Sequence, residues 1–136
     1  MKALEFKECN RVYAKDQPEY VNLPCYAESN GTITVCMQLE NDEVDKVRKA
    51  RVLYLKMLTF NNPLQPVRVT LYKPLFPTAP HARYMYAPRF ETTGEVTFVV
   101  DLQKKEIAEL IKTNLIWIQI RTFGTPLQPI APSVTK

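Results

Sequence analysis

The chain has 136 residues, of which 46% are hydrophobic and 24% charged, with three glycines and eleven prolines. This composition argues against a disordered chain, and the length sets one compact unit as the starting expectation. The net charge of +4 is compatible with acidic partners but is weak evidence for nucleic acid.

Three cysteines, Cys9, Cys25 and Cys36, are odd in number and lack metal-ligand spacing. A disulfide framework is not expected, and a reducing compartment is the simpler reading. The N-terminal residues Met1 to Glu8 carry charges where a signal peptide needs an apolar run. No stretch reaches the roughly 18 apolar residues of a spanning helix, so no membrane role is expected.

Residues 1–19 are polar and irregular and read as an arm. Tyr20 to Ala27 is extended but interrupted by Pro24, which suits an edge position. Glu28-Ser29-Asn30-Gly31 is a turn, with Asn-Gly its strongest signal. Thr32 to Leu39 alternates, with Ile33, Val35, Met37 and Leu39 on one face. Asn41 to Ala50 reads as a helix, with Asp42 and Glu43 in its first turn and Arg48 and Lys49 in its last, as the helix dipole prefers. Val52 to Leu58 is the next strand, with Leu53, Leu55 and Met57 on one face, and Val67 to Tyr72 is extended.

Residues 73–83 hold Pro74, Pro77 and Pro80 and read as a semi-rigid linker. Beyond it the plan returns. Arg83 to Phe90 is extended, Thr92-Thr93-Gly94 turns, and Val96, Phe98, Val100 and Leu102 alternate inward. Lys104 to Thr113 is a helix and Leu115 to Arg121 a strand with Ile116, Ile118 and Ile120 on one face.

The return is written in the residues themselves. Thr59-Phe60-Asn61-Asn62-Pro63-Leu64-Gln65-Pro66 recurs as Thr122-Phe123-Gly124-Thr125-Pro126-Leu127-Gln128-Pro129, an offset of 63 residues. Across 31–66 and 94–129, eleven of 36 aligned positions are identical, which chance explains poorly. The expected fold class is α+β: two tandem hairpin-helix-strand (ββαβ) repeats forming a pseudo-twofold, mostly antiparallel sheet unit with its helices on one face. The alternative is two separate sheets packed through their strand faces. The expected division is 1–72 for the arm and first repeat, 73–83 for the linker and 84–136 for the second repeat, sharing one core because about 63 residues is near the lower limit for independent folding.

Candidate contact residues come from the last strand of each repeat. Tyr54, Lys56, Leu58 and Phe60 alternate opposite the core positions, matched by Trp117, Gln119, Arg121 and Phe123. Aromatics beside a basic or polar neighbour suit a binding surface. The competing reading packs these faces against each other or under the N-terminal arm. In the repeated phrase, Gln65 and Gln128 offer donor and acceptor while Leu64 and Leu127 can plug a pocket. Either this is a displayed recognition strip or it is a clasp that ends each strand and joins the repeats, the latter favoured. Arg48, Lys49 and Arg51 could meet phosphate, but the second helix lacks that charge run.

Nothing points to catalysis. The single histidine, His81, lies in the linker. No nucleophile–base grouping, glycine-rich phosphate loop or metal set emerges, so no catalytic, cofactor-binding or metal residue is assigned and no cofactor is expected.

The run Lys7 to Tyr20, then Asn30-Gly31-Thr32-Ile33-Thr34, Leu58-Thr59-Phe60 and Pro63-Leu64-Gln65-Pro66, resembles short uncharacterised proteins of phages and prophages of gut bacteria, which carry the Thr-Phe-x-x-Pro-Leu-Gln-Pro pattern once at about half this length. The resemblance implies a phage-type origin and an oligomer of single units replaced here by duplication. It implies no activity. The resulting expectation is a non-enzymatic protein acting by protein–protein binding, in the virion or on a host target, made in the host cytoplasm. The alternatives are a sponge for a nucleotide-like anion, using Arg48, Arg51 and Arg121 with Tyr54 and Trp117, and a nucleic-acid-binding accessory protein using the same groups.

Overall fold

The computed structural model describes residues 1–14, 22–78, 84 and 89–135. Within them the chain is α+β. The strands are β1 (Lys2–Leu4), β2 (Arg11–Tyr13), β3 (Leu23–Ala27), β4 (Thr32–Gln38), β5 (Val52–Leu58), β6 (Val67–Thr70), β7 (Arg89–Thr92), β8 (Glu95–Asp101), β9 (Leu115–Arg121) and β10 (Ile130–Ser133). The helices are α1 (Asn41–Ala50) and α2 (Lys104–Thr113), over the spans expected from charge placement and apolar spacing.

Both helices start the same way. The side chain of Glu43 accepts from the Glu40 backbone at 2.9 Å, and that of Glu106 from the Gln103 backbone at 2.8 Å. Each reaches back to an amide that has no intrahelical partner. Both helices end on a left-handed residue, Arg51 (φ 61°) and Asn114 (φ 60°), whose N–H bonds the carbonyl of Val47 or Leu110.

The strands form two antiparallel sheets rather than one. The larger has the order β2-β3-β4-β9-β6, with β1 also on β4; the smaller has the order β10-β5-β8-β7. A helix therefore carries the chain from one sheet to the other: α1 from β4 to β5, α2 from β8 back to β9. Each sheet takes strands from both halves of the chain. β4 lies against β9 with Thr34 opposite Gln119, and β5 against β8 with Lys56 opposite Thr97.

The alternating apolar faces meet in one core. Ile33, Val35, Ile116, Ile118 and Ile120 enter it from the larger sheet, Leu53, Leu55, Met57, Val96 and Phe98 from the smaller, and Val44, Val47, Ile107 and Leu110 from the helices. Since both inner faces share this core, the two outer faces look in opposite directions.

Two expectations need correction. The first residues are not a free arm: β1 pairs with β4, β2 pairs with β3, and Ala3 packs against the core. Pro24 is paired on one side only, with Val12 of β2, because β3 meets β4 only at Tyr26 and Ala27, so the expected edge position holds locally. Beyond the β3–β2 pairs, the Asn10 side-chain amide donates to the Ala27 carbonyl at 3.0 Å and accepts from the Ala27 N–H at 2.7 Å. The second correction is that β10 extends the second half beyond the repeated phrase. Of the linker, residues 79–83, His81 included, lie outside the described residues, as do residues 20 and 21 and residues 85–88 of the following extended stretch. No helix is long and apolar enough to cross a membrane among the described residues.

Candidate interaction site at the paired turns

The two copies of the repeated phrase lie against each other. After β5 the backbone turns through Phe60 (φ 53°) and Asn61 (φ 64°); after β9 it turns through Phe123 (φ 52°) and Gly124 (φ 78°). Asn62 N–H closes the first turn on the Thr59 carbonyl and Thr125 N–H closes the second on that of Thr122, both at 3.0 Å. Each turn is also fastened to the hairpin of the other half: Thr59 N–H donates to the Gly94 carbonyl at 2.8 Å, and Thr122 N–H to that of Gly31 at 2.9 Å.

The glycines at these junctions differ in how tightly they are held. A Cβ on Gly31 (φ 91°) would stand 2.9 Å from the Gly124 nitrogen, whereas one on Gly124 (φ 78°) would meet nothing within 4 Å. Gly31→Ala is therefore expected to lower stability by about 2 kcal/mol or more, and Gly124→Ala by only about 1, for its left-handed backbone alone. Urea unfolding of both variants checks the order.

Beyond the turns, the two glutamines bond reciprocally. Gln65 N–H donates to Oε1 of Gln128 at 3.0 Å, and Gln128 N–H donates to Oε1 of Gln65 at 2.9 Å. The Gln65 side chain also donates to Thr125 Oγ1 at 3.0 Å and to the Pro126 carbonyl at 2.8 Å, while that of Gln128 donates to the Pro63 carbonyl at 2.9 Å. Both glutamines are buried. They are a clasp between the halves rather than displayed groups, which corrects their placement on a contact surface. Leu64 and Leu127 pack partly buried against the core.

What the clasp displays is the pair of phenylalanines. Phe60 is 60% exposed and Phe123 66% exposed, on the rim of a cleft of about 480 Å³ formed by both copies of the phrase. The described lining consists of threonine, phenylalanine, asparagine, proline, leucine and glutamine, with no charged side chain. Arg121 sits behind one ring, its guanidinium carbon 5.9 Å from the Phe123 centroid and 5.1 Å from that of Tyr84.

The other candidate residues lie elsewhere. Trp117 is buried beneath the N-terminal segment: the Phe6 ring meets it edge-on at 5.0 Å and stacks at 6.1 Å on Phe76. Next to it, Gln119 is fully buried, donating to Thr34 at 3.1 Å and Thr78 at 3.0 Å and accepting from Arg68 at 3.0 Å. Glu28 accepts from both the hydroxyl and the N–H of Thr78, at 2.6 and 2.8 Å. This network seals the outer face of the larger sheet, so the reading that places the arm over that face holds for the second copy.

Tyr54 and Lys56 occupy the outer face of the other sheet, where Lys56 pairs with Glu95 at 3.5 Å. Tyr54 and Trp117 thus do not converge on one stacking site. Arg48, Lys49 and Arg51 are exposed at the end of α1, with Arg48 paired to Asp45 at 3.3 Å.

The thiols are shielded. Burial pushes Cys25 up to about 11 and Cys36 up to about 12 from an ordinary value of 9.0, and also raises Cys9. In the native protein at pH 8, a chromogenic disulfide reagent is expected to react promptly only at the partly exposed Cys9, and at all three after denaturation. Because folding holds Cys25 and Cys36 protonated while the unfolded chain ionises, stability is expected to fall as pH rises above about 9, which urea midpoints at pH 8 and 10 would show. Compared with protein-family models, curated proteins and solved structures, the chain matches none.

Proposed function

We propose that this is a non-enzymatic, phage-type protein that works by binding another protein through the twin phenylalanine turns. The observation that carries the reading is the placement of Phe60 and Phe123. A bulky residue with positive φ is uncommon, and the left-handed conformation disfavours it by about 1–2 kcal/mol. Here it occurs at both equivalent positions, and each ring is left more than half exposed. Strain without a packing return is characteristic of functional sites. Exposed aromatics around an uncharged cleft suit an apolar anchor on a partner protein, where a few such residues supply most of the binding energy.

The proposal includes an origin by duplication, with the two ββαβ repeats related by a pseudo-twofold. The strand registers support it. Thr34 opposite Gln119 becomes Thr97 opposite Lys56 when 63 is added to one number and subtracted from the other. Val67 opposite Ile120 becomes Ile130 opposite Met57 in the same way. Each half lends its last long strand to the sheet of the other, as in a strand-exchanged dimer joined by a linker. The β3–β4 and β7–β8 hairpins depart from the relation by one residue, Tyr26 facing Thr34 but Phe90 facing Thr97.

An anion-binding role draws less support, since the cleft has no described cation in its lining. Mass spectrometry of purified particles tests the virion form of the proposal: stoichiometric abundance supports it, and absence leaves the host-targeting form. Loss of partner capture in a Phe60→Gly, Phe123→Gly double variant that stays folded tests the binding itself.

A further inference from the structure

The equivalent edges of the two sheets are not equally closed. β6 borders the larger sheet and β10 the smaller. Arg121 N–H donates to the Pro66 carbonyl and Leu58 N–H to that of Pro129, both at 2.9 Å. In an antiparallel ladder, bonded and non-bonded pairs alternate along the strand. The bonded positions are therefore Pro66, Arg68 and Thr70 on β6, and Pro129, Ala131 and Ser133 on β10. The main-chain groups of Val67 and Val69, and of Ile130 and Pro132, face away from the sheet.

Pro132 stands where β6 has Val69, 63 residues earlier. Proline has no N–H to offer, so the β10 edge is closed to a further strand at its centre. The β6 edge, Val67-Arg68-Val69-Thr70, carries no proline, and no described strand pairs with its outward side. Its charge does not guard it either, because the Arg68 guanidinium is drawn onto the outer face by Gln119 at 3.0 Å. Just past β6 the chain leaves two large apolar residues exposed, Tyr72 and Leu75 at 82%.

We propose that β6 is a pairing edge, and that its occupant is β6 of a second copy of this chain, joined antiparallel about a twofold axis at Val69. A strand edge is complemented by another strand, and this one is compatible with itself. With Val69 opposite Val69 of the copy, both residues direct N–H and C=O across the axis and exchange two hydrogen bonds. Arg68 then falls opposite Thr70 of the copy, so no like charges face each other. Val67 falls opposite Leu71 of the copy, continuing the apolar inner face from one molecule into the next. The result is a closed, isologous dimer with one continuous sheet.

Sedimentation velocity over a range of concentrations tests this, with Val69→Pro as the principal variant. The equivalent position of β10 already carries proline, and the Val69 N–H is not used inside the sheet, so the substitution is designed to leave the fold intact. The expected result is a concentration-dependent dimer for the parent and a monomer for Val69→Pro with unchanged far-UV circular dichroism. A parent that stays monomeric to several hundred micromolar, or a folded Val69→Pro chain that dimerises as well as the parent, overturns the proposal. If Val69→Pro does not fold, exchange of the Val69 amide in the parent decides: slowing at least tenfold with rising concentration supports the pairing, and a concentration-independent rate refutes it. Phe60→Gly with Phe123→Gly is expected to leave the dimer unchanged, which separates this edge from the phenylalanine cleft.

Discussion

Gln65→Ala and Gln128→Ala are each expected to lower the unfolding free energy by about 2–4 kcal/mol, although neither residue belongs to the apolar core. The reason is the reciprocal bonding. Removing the Gln65 side chain takes the acceptor from the buried Gln128 N–H and the donor from Thr125 and the Pro126 carbonyl. Removing that of Gln128 takes the acceptor from Gln65 N–H and the donor from the Pro63 carbonyl. A buried donor left without a partner loses its hydration with nothing in exchange, at about 1–3 kcal/mol. The groups form one network, so the double variant is expected to deviate from additivity by more than about 0.5 kcal/mol. Urea unfolding of the parent, both single variants and the double completes the cycle. Losses below about 0.5 kcal/mol for both glutamines would mean that the halves are held together by other contacts.

The paired phenylalanines should behave in the opposite way. Phe60→Gly with Phe123→Gly is expected to keep or raise stability, by no more than about 2 kcal/mol over the parent. Relief of two left-handed phenylalanines, about 1–2 kcal/mol each, is opposed by the greater chain entropy of glycine, about 0.5–1 kcal/mol each. Partner binding should instead fall by about 30-fold or more per ring, the loss usual for an anchoring aromatic of about 2 kcal/mol. Co-purification of the parent and the variant with particle or host proteins, followed by titration of the captured partner, gives the readout. A variant that binds its partner as tightly as the parent would remove these rings from the proposed site.

These predictions rest on different kinds of information. The strands and helices were legible because their signals are local. Ile33, Val35 and Met37, or Ile116, Ile118 and Ile120, alternate at the period of a strand with one buried face. Both helix spans follow from apolar spacing and charge placement. The clasp was legible in part, since a phrase containing two prolines must interrupt a ladder wherever it occurs.

What was not legible depends on which strands become neighbours. A ten-residue helix spans about 15 Å and can return a chain to the same sheet or deliver it to another. No local pattern distinguishes the two, and the second outcome is what exchanges strands between the halves. Alternation places Thr34 and Gln119 opposite the core residues of their strands, yet both are buried, because Thr78 and Glu28 arrive from distant segments to complete the hydrogen-bonding network. For Trp117 two readings stood open, a contact residue or a side chain packed under the N-terminal segment, and only the arrival of Phe6 decides for the second. The first residues read as an arm because three-residue strands such as β1 and β2 have no periodicity to detect; they exist only because β4 and β3 present edges to them.

By itself, then, the sequence determined the repeat, the elements within it and the inward face of each long strand, all consequences of backbone periodicity and proline chemistry. Tertiary structure alone decided that Gln65 and Gln128 turn inward to each other while Phe60 and Phe123 turn outward. The physical reason is that buried amides must find partners, and two copies of one phrase, brought side by side, supply them to each other and leave the rings outside.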